Sequence, residues 1–343
     1  MKILKTLMLG FVGLIVVLAT VGMLLPSKVH IERSTTVAAK PATVFVYLNG
    51  FKNFNKWSPW AALDPKTQYT FEGPLVGVGA KESWASEQAG VGNGSQEITA
   101  VKANQSITIK LLLPDMQPSV VTQTLTPEGD GTKIVWGIDA NMGSNPMNRW
   151  FGLILDKLMG PDYEKGLAQM KPLIEALPKD DLAASGVSLA ITTAKPLLVI
   201  SDSASAAGDG AEVGAKLGAA YQKIGAWMTA NGYTLADAPM AITRKFDDKT
   251  LFWDFDAAIV VDKAGAAPAA DAGIKVVSSY AGPALKITHT GPYTAMQTSY
   301  AKLLAYKAVA GFQDNGNSWE HYVTDPGNTP PDQLKTEIYW PVK

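Results

Sequence analysis

The sequence predicts an α+β protein with two domains behind an apolar N-terminal helix. Three observations support this prediction. An uncharged run extends from Leu7 to Leu25, a series of short strands then leads into a long amphipathic helix, and the last part of the chain repeats one strand-helix-strand-strand pattern. Strands grouped together and separated by Gly-rich turns favour antiparallel sheets, which are typical of the α+β class.

The composition is that of a globular protein, with 47% hydrophobic residues and a formal net charge of −1. This charge gives no indication that nucleic acid is a partner. The chain contains no cysteine, which excludes disulfides, thiol catalysis and cysteine-ligated metal sites. A cysteine-free chain suits either side of a membrane, so the cysteine content does not determine the redox compartment.

The N-terminal segment, residues 1–27, is predicted to be a membrane anchor. The apolar run 7–25 is closed by Pro26 and is about long enough to cross the hydrocarbon core. A cleaved signal peptide is the alternative, but the run is longer than a usual signal core and no clear Ala-x-Ala site follows it. Lys2 and Lys5 precede the run, and Lys28 and Arg33 follow it. We therefore expect a single-pass protein of the cytoplasmic membrane, with its N-terminus inside and its body outside.

Residues 28–178 form the first predicted domain. A strand over 29–39 is followed by a helix that begins near Pro41, and a long helix over 148–177 closes the segment. The strands between them are expected at 68–72, 79–86, 94–101, 106–113, 119–127 and 133–141. The predicted buried face of the long helix consists of Trp150, Ile154, Leu158, Tyr163, Leu167 and Met170.

A sheet wrapped about a long helix encloses an interior, and its lining depends on the register of the strands. The residues expected to line it are Phe71, Trp84, Ile98, Leu111, Leu125 or Trp136. Trp57 and Trp60 are predicted to close one end by packing, with Arg33 and Asp64 as an ion pair beside them.

Several motifs of this domain resemble the SRPBCC superfamily, also called START-like or helix-grip, in its polyketide cyclase/dehydrase branch. They are Arg33-Ser34, Pro41 with Val44-Phe45, Trp57-Ser58-Pro59-Trp60, Asp64-Pro65, 69–74, 77–80, Gly131-Thr132 before Trp136, and 162–167. The resemblance implies a deep apolar cavity with Phe71, Trp84, Leu111 and Trp136 as candidate lining. It does not imply one activity, because the superfamily includes lipid carriers, hormone receptors, cyclases and stress proteins.

Three stretches poor in large apolar residues are predicted to be connections. Residues 179–186 form the interdomain linker, 201–214 a loose loop, and 263–273 a connector between two repeats. The second domain, 187–343, then consists of repeats at about 187–262 and 274–343.

The repeats are visible in their helices and in their last strands. Tyr221 to Trp227, followed by Gly232, matches Tyr300 to Tyr306, followed by Gly311. Aligning 259–261 with 340–342 also places Asp256 on Glu337. Neither half buries its sheet alone, so the two are expected to pack about a pseudo-twofold axis with a cleft between them.

This region resembles the GyrI-like family, the effector-binding domain of multidrug-sensing regulators. The matching motifs are His289-Thr290-Gly291-Pro292-Tyr293, the helix with Tyr300, Trp319-Glu320-His321-Tyr322, Asp325-Pro326 and 336–342. The resemblance implies an aromatic cleft for apolar, often cationic, small molecules with an acid at its floor, and Glu337 matches that acid. No helix-turn-helix precedes the domain, so the role of a transcription factor does not carry over.

The predicted ligand-binding residues are Glu337, Asp256, Tyr293, Tyr300, Trp319, Tyr322, Tyr339 and Trp340. A carboxylate among aromatic rings either binds a ligand cation or acts as a general acid or base. Alternatively, Glu337 forms a structural ion pair with Lys335 or Arg244, or faces water. Asp254 replaces Asp256 if the register shifts by one residue, and each aromatic side chain taken alone is more often ordinary core.

No cofactor is expected, and no nucleophile motif is present. His289 and His321 lack the spacing of metal ligands, so no metal site is expected. The leading hypothesis is a membrane-anchored protein that senses or sequesters hydrophobic small molecules, cationic ones among them. The alternatives are a hydrolase of electrophilic small molecules with Glu337 as its catalytic candidate, and a lipid carrier that acts through the first domain.

Overall fold

The computed structural model describes residues 2–114, 116–179, 182–263 and 273–343. It contains two antiparallel sheets, each accompanied by helices, which confirms the α+β class. The chain divides into two compact units, residues 1–181 with 309–311 and residues 182–308 with 312–343. Residues 180 and 181 of the predicted linker, and 264–272 of the predicted connector, lie outside the described residues.

The described residues of the first unit form four α-helices and seven strands. They are α1 (Lys2–Leu24), β1 (Lys28–Val37), α2 (Pro41–Leu48), β2 (Gln68–Glu72), β3 (Lys81–Ala85), β4 (Gly94–Lys102), β5 (Ser106–Leu112), β6 (Ser119–Glu128), β7 (Gly131–Asn141), α3 (Pro146–Gly152) and α4 (Leu155–Glu175).

In the first sheet, strands β2 to β7 form an antiparallel meander, and β1 pairs with β7 at the edge opposite β2. Its strand order is β1-β7-β6-β5-β4-β3-β2. Helix α4 packs along β1, and α2 packs on β6 and β7. The core between helices and sheet is formed by alternating strand residues such as Ile107, Ile109 and Ile134, and by Tyr163 and Leu167 of α4. The sheet packs against α2 and α4, as the sequence predicts for a sheet around a long helix.

The closing helix differs from the single helix expected over 148–177. It is split into α3 and α4, and Leu153 and Ile154 lie at the break. Tyr163, Leu167 and Met170 are buried as expected, but Ile154 and Leu158 are 48% and 52% exposed. Leu158 lies within α4, where Leu155 is buried in its place, so the predicted apolar face is continuous in sequence but enters the core only from Tyr163 onward.

Helix α1 is the one helix among the described residues that is long and apolar enough to cross a membrane. Residues Leu7–Leu24 have a mean hydropathy of 2.6, and only 6% of them are buried. Length and composition alone support this reading, and a signal sequence has the same properties.

In the second unit, the part of the chain that the structure describes forms two long helices and eight strands. They are β8 (Ser188–Thr192), β9 (Pro196–Ser205), α5 (Ala211–Asn231), β10 (Met240–Asp247), β11 (Phe252–Val260), β12 (Lys275–Ser278), β13 (Gly282–Thr290), α6 (Met296–Ala310), β14 (Trp319–Tyr322) and β15 (Lys335–Pro341).

The eight strands form one sheet with internal pseudo-symmetry. Its order is β12-β9-β11-β10-β14-β15-β13-β8, so β10 and β14 are the central pair and each is followed outward by the equivalent strands of its repeat. Each repeat also has an extra leading strand that lies on the outer edge of the other repeat: β8 pairs with β13, and β12 pairs with β9. The two halves are therefore interlocked.

The loose loop expected over 201–214 is largely regular structure. Residues 201–205 belong to β9, where Ser201 pairs with Asp256 of β11, and α5 begins at Ala211. Small polar residues suggested a loop, but pairing with a central strand overrides that local preference.

Candidate functional site

The centre of the second sheet carries a buried carboxylate, Glu320. It lies on β14, where it pairs directly with Ala241 of β10. If Tyr221 is equivalent to Tyr300, the same offset of 79 residues makes Ala241 equivalent to Glu320. The pseudo-twofold axis therefore passes through this residue pair, and one repeat supplies an acid where the other supplies a methyl group.

Two tyrosine hydroxyls donate hydrogen bonds to Glu320. Tyr300 of α6 donates to Oε1 at 2.7 Å, and Tyr322 of β14 donates to Oε2 at 2.6 Å. No basic side chain among the described residues forms an ion pair with this carboxylate. A carboxylate accepts about four hydrogen bonds, so two of its acceptor positions are not used by these tyrosines.

Further aromatic rings surround this pair of tyrosines. Tyr293 contacts Tyr322 edge-on with ring centroids 5.7 Å apart, and Trp340 contacts Tyr300 edge-on at 6.4 Å. Tyr221 of α5 donates to the carbonyl oxygen of Met240, next to the central strand pair. Tyr293 is 39% exposed, so the cluster extends from the buried acid to the surface.

Burial raises the pKa of Glu320 above its ordinary value, and the hydrogen bonds from Tyr322 and Tyr300 only partly oppose this effect. An ion without a counter-ion is costly in a poorly hydrated site. The site therefore holds either a neutral carboxylic acid or a carboxylate that a cation stabilises.

Glu337 occupies the other face of the sheet. It pairs with His321, the residue after Glu320, and neighbouring residues of a strand point to opposite faces. Lys286 Nζ lies 2.7 Å from its Oε1, and the Tyr339 hydroxyl donates to Oε2 at 2.8 Å. Burial acts to raise the pKa of Glu337, but the bonds from Lys286 and Tyr339 outweigh it and hold the pKa below its ordinary value.

Asp256 is the counterpart of Glu337 in the first repeat, and its surroundings are similar. Arg244 Nε lies 3.1 Å from Oδ1, and Ser201 donates to the same oxygen at 2.7 Å. The duplicated acid is thus present in both repeats with a basic partner each time. The partner of Glu337 is Lys286, not Lys335 or Arg244.

The aromatic residues predicted to line one cleft are divided between the two faces. Tyr293, Tyr300, Tyr322 and Trp340 lie on the helix side around Glu320. Trp319 and Tyr339 lie on the opposite side with Asp256 and Glu337, and their rings stack 4.8 Å apart at 7°. Alternation along β14 and β15 places the members of this set on two faces of the sheet, and their part in ligand binding stays a prediction.

Glu320 and Tyr221 are the site residues that sequence reasoning missed. In the sequence, Glu320 stands out only as part of a family motif, and Tyr221 only as part of the helix repeat. The tyrosine shared by both helices, Tyr221 and Tyr300, is the signal that the sequence offers, but the contact of Tyr300 with Glu320 depends on how α6 packs on β14.

In the first unit, the candidate cavity residues lie in different environments. Phe71 is 43% exposed, Trp84 and Leu111 are half-buried, and Trp136 is buried. Trp136 stacks on Tyr163 with centroids 3.9 Å apart and packs edge-on against Trp57 and Trp60. These four rings fill the interior at this point.

The same unit buries a carboxyl group that the sequence analysis did not single out. Glu82 on β3 is 0% exposed and receives hydrogen bonds from Asn55 Nδ2 at 2.5 Å and Gln96 Nε2 at 2.7 Å. Burial raises its pKa to about 7.

Other polar expectations are corrected by the structure. Arg33 pairs with Asp156 and Glu164, not with Asp64, whose carboxylate accepts from Ser86. His289 contacts Ser299, while His321 lies between Asp237 and Glu337. Within the described residues, no group of three or more potential ligands is arranged to hold a metal ion.

Both predicted resemblances are confirmed by comparison with family models. Residues 28–175 match the model for polyketide cyclase / dehydrase and lipid transport, a branch of SRPBCC, and residues 242–343 match that for the GyrI-like small molecule binding domain. The second match begins within β10, so the earlier part of the first repeat lies outside it. A search of curated proteins found no match.

Solved structures with related folds include the EcmrR C-terminal domain, at 19% identity and a TM-score of 0.39, which covers 46% of this chain and 96% of that one. A hydrolase from Listeria innocua matches at 16% identity and a TM-score of 0.34, covering 46% and 92%. The Aha1 dimer from Colwellia psychrerythraea matches at 12% identity and a TM-score of 0.32, covering 43% and 97%.

Proposed function

We propose that this chain, in which an SRPBCC domain precedes a GyrI-like domain, is a membrane-anchored protein that binds hydrophobic cations. Both domains belong to small-molecule-binding families. The observation that carries the proposal is Glu320: a buried acid held by two tyrosines and lacking a basic partner among the described residues. The anchor would be α1, with the N-terminus inside and both domains outside the cytoplasmic membrane.

A flat cation suits this site for two physical reasons. Its charge stabilises the ionised form of Glu320, which burial alone disfavours. Its apolar body fits the aromatic surroundings of Tyr293, Tyr300 and Trp340, where ring faces attract cations. Such compounds also partition into bilayers, so an anchored protein encounters them at raised concentration. Sensing or sequestration at the membrane follows as the biological role.

The hydrolase alternative gains no support from its candidate residue. Glu337 is held by Lys286 and Tyr339, and its lowered pKa makes it a weak base at neutral pH. No observation favours the lipid-carrier alternative over ligand binding in the second domain.

Replacing Glu320 tests the proposal directly. The Glu320→Gln variant should bind ethidium, a flat aromatic cation, at least about tenfold more weakly, which corresponds to about 1.4 kcal/mol, because the charge that balances the cation is lost. Binding of the neutral probe N-phenyl-1-naphthylamine should change little. Fluorescence titration of the detergent-solubilised full chain measures both affinities.

Glu337→Gln is the matched control, because it removes a carboxylate from the opposite face of the same sheet. Ethidium affinity should also fall as the pH is lowered toward the raised pKa of Glu320, since only the ionised acid attracts the cation. Equal weakening by both substitutions, or none by Glu320→Gln, would contradict the proposed site.

A further inference from the structure

The short helix α3 lies against the end of α1. Trp150 Nε1 donates to the carbonyl oxygen of Leu18 at 2.9 Å, and Arg149 Nη1 donates to those of Met23 at 2.6 Å and Leu25 at 3.1 Å. The last carbonyl groups of a helix have no hydrogen-bond donors within that helix, and here Arg149 is the donor. The position of α3 along α1 is therefore determined by hydrogen bonds to its last turns.

Close packing supports this placement. A Cβ atom at Gly22 would lie 2.8 Å from Pro146 Cβ and 2.9 Å from Trp150 Nε1. Only a glycine allows α3 to approach α1 so closely at this point. The contact therefore depends on residues of both helices, Gly22 in α1 and Pro146 and Trp150 in α3.

The outer side of α3 and of the first turn of α4 is apolar and exposed. Met147, Phe151, Ile154 and Leu158, which we call the α3 stripe, are 66%, 45%, 48% and 52% exposed. Met147 and Phe151 are four residues apart on α3, and Ile154 and Leu158 are four residues apart at the start of α4, so each pair lies on one face of its own helix. Large exposed apolar side chains grouped in this way on two adjoining helices mark an interaction surface.

The location of the α3 stripe identifies what covers it. Leu18 to Leu24 belongs to the segment that is apolar enough to cross a membrane, and at 1.5 Å per residue it spans about 10 Å of bilayer depth. Side chains packed beside those turns lie at the same depth. Trp150 and Arg149 are residue types that favour the boundary between hydrocarbon and headgroups.

We propose that the α3 stripe is inserted in the interfacial layer of the bilayer that α1 crosses. This inference rests on the proposed anchoring. It gives the SRPBCC domain a second attachment to the lipid surface, beside the single helix, so that the start of α4 is held at the membrane. A hydrophobic compound dissolved in the bilayer then reaches this domain without first entering bulk water.

Site-specific fluorescence tests the proposal. Because the chain contains no cysteine, one introduced cysteine is the single labelling site in each variant. Phe151→Cys and Ile154→Cys are labelled separately with the polarity-sensitive dye NBD in the full chain, reconstituted into phosphatidylethanolamine/phosphatidylglycerol vesicles with or without doxyl-labelled lipids. Leu14→Cys in α1 reports on anchoring. Val78→Cys, 57% exposed between β2 and β3, is the reference for an apolar residue away from α1.

The proposal expects blue-shifted emission and several-fold stronger lipid quenching at 151 and 154 than at 78, together with strong quenching at 14. Quenching at 14 but not at 151 or 154 would leave the anchor intact and overturn the stripe's insertion. Lack of quenching at 14 would contradict the proposed anchoring by α1, and with it the insertion of the α3 stripe. Shielding of 151 and 154 from aqueous iodide without lipid quenching would place a protein on the stripe, which also contradicts the proposal.

Discussion

At the scale of single residues, two buried carboxyl groups show how burial and pairing decide chemistry. Glu320 receives only hydroxyl donors and Glu82 only amide donors, whereas the predicted acids Glu337 and Asp256 both have basic partners. Neutral donors compensate desolvation less well than a cation does. The pKa of each buried acid is therefore raised, and the pKa of Glu337 is lowered.

Glu82 should make the stability of the first domain depend on pH. Its pKa is about 7 in the folded chain, against 4.5 when unperturbed. The folded state therefore binds the proton more tightly, so its stability rises as the pH falls from 7 toward 4.5. Between pH 7.5 and pH 5 the native chain should gain about 2–3 kcal/mol relative to Glu82→Gln, measured by urea unfolding followed by tryptophan fluorescence.

The matched control is Glu87→Gln, which removes an exposed carboxyl group just beyond β3. It should follow the native chain at both pH values. A constant difference between Glu82→Gln and the native chain across this range would mean that Glu82 does not hold its proton in the folded state.

At the scale of elements, the duplication explains how α5 and α6 end. Gly232 is the C-cap of α5 with φ 68°, and Gly311 follows α6 with φ 73°. A left-handed residue ends a helix and satisfies one of its last carbonyls, as Tyr233 N–H does for Met228. The Gly-aromatic pattern recognised in sequence is thus a pair of helix stops.

Two glycine substitutions in or next to α5 should have opposite effects. No atom outside the local backbone lies within 4 Å of a Cβ added at Gly232 or at Gly225, so only backbone conformation differs between the sites. Gly232→Ala should destabilise by about 1–2 kcal/mol because L residues resist positive φ. Gly225→Ala, inside the helix, should stabilise by about 1 kcal/mol.

Thermal and urea unfolding of the full chain in detergent, followed by circular dichroism, measure both glycine effects. Destabilisation of similar size by both substitutions would show that α5 is not helical through Gly225 or does not end at Gly232.

At the scale of the whole molecule, the arrangement is an apolar helix followed by two ligand-binding domains. Helix α1 continues almost directly into β1 of the first sheet, since only Leu25 to Ser27 lie between them. This short connection, together with the hydrogen bonds from Arg149 and Trp150, attaches the first domain to the end of α1. If α1 crosses the membrane as proposed, the first domain is held close to the lipid surface, because no long linker separates it from α1.

If α1 is an uncleaved anchor, as proposed, a specific result is expected in cells. Membranes washed with alkaline carbonate should retain the full chain with an intact mass of 36.5 kDa, because a hydrophobic span resists extraction. Deletion of residues 2–27 should release the protein into the soluble fraction. A shorter mature chain that lacks the apolar run, recovered in the wash, would support the signal-peptide alternative.

Most of the helices and strands, the duplication, the two families and the apolar helix can be predicted from the sequence alone. These features depend on periodicity and on local residue preferences, which neighbouring residues in the chain specify. The equivalence of Asp256 and Glu337 is also present in the sheet, as each acid lies on the strand outside the central pair.

Only the tertiary structure decided which acid is enclosed and which apolar face is left uncovered. Glu320 and His321 differ by one residue but point to opposite sides of the sheet, and the side covered by α6 brings Tyr300 to Glu320. Ile154 and Leu158 carry the pattern of a buried helix face, yet both are about half exposed, while Leu155 between them is buried. Side-chain alternation and helix direction are set by packing between distant segments, and that information is not contained in the local pattern.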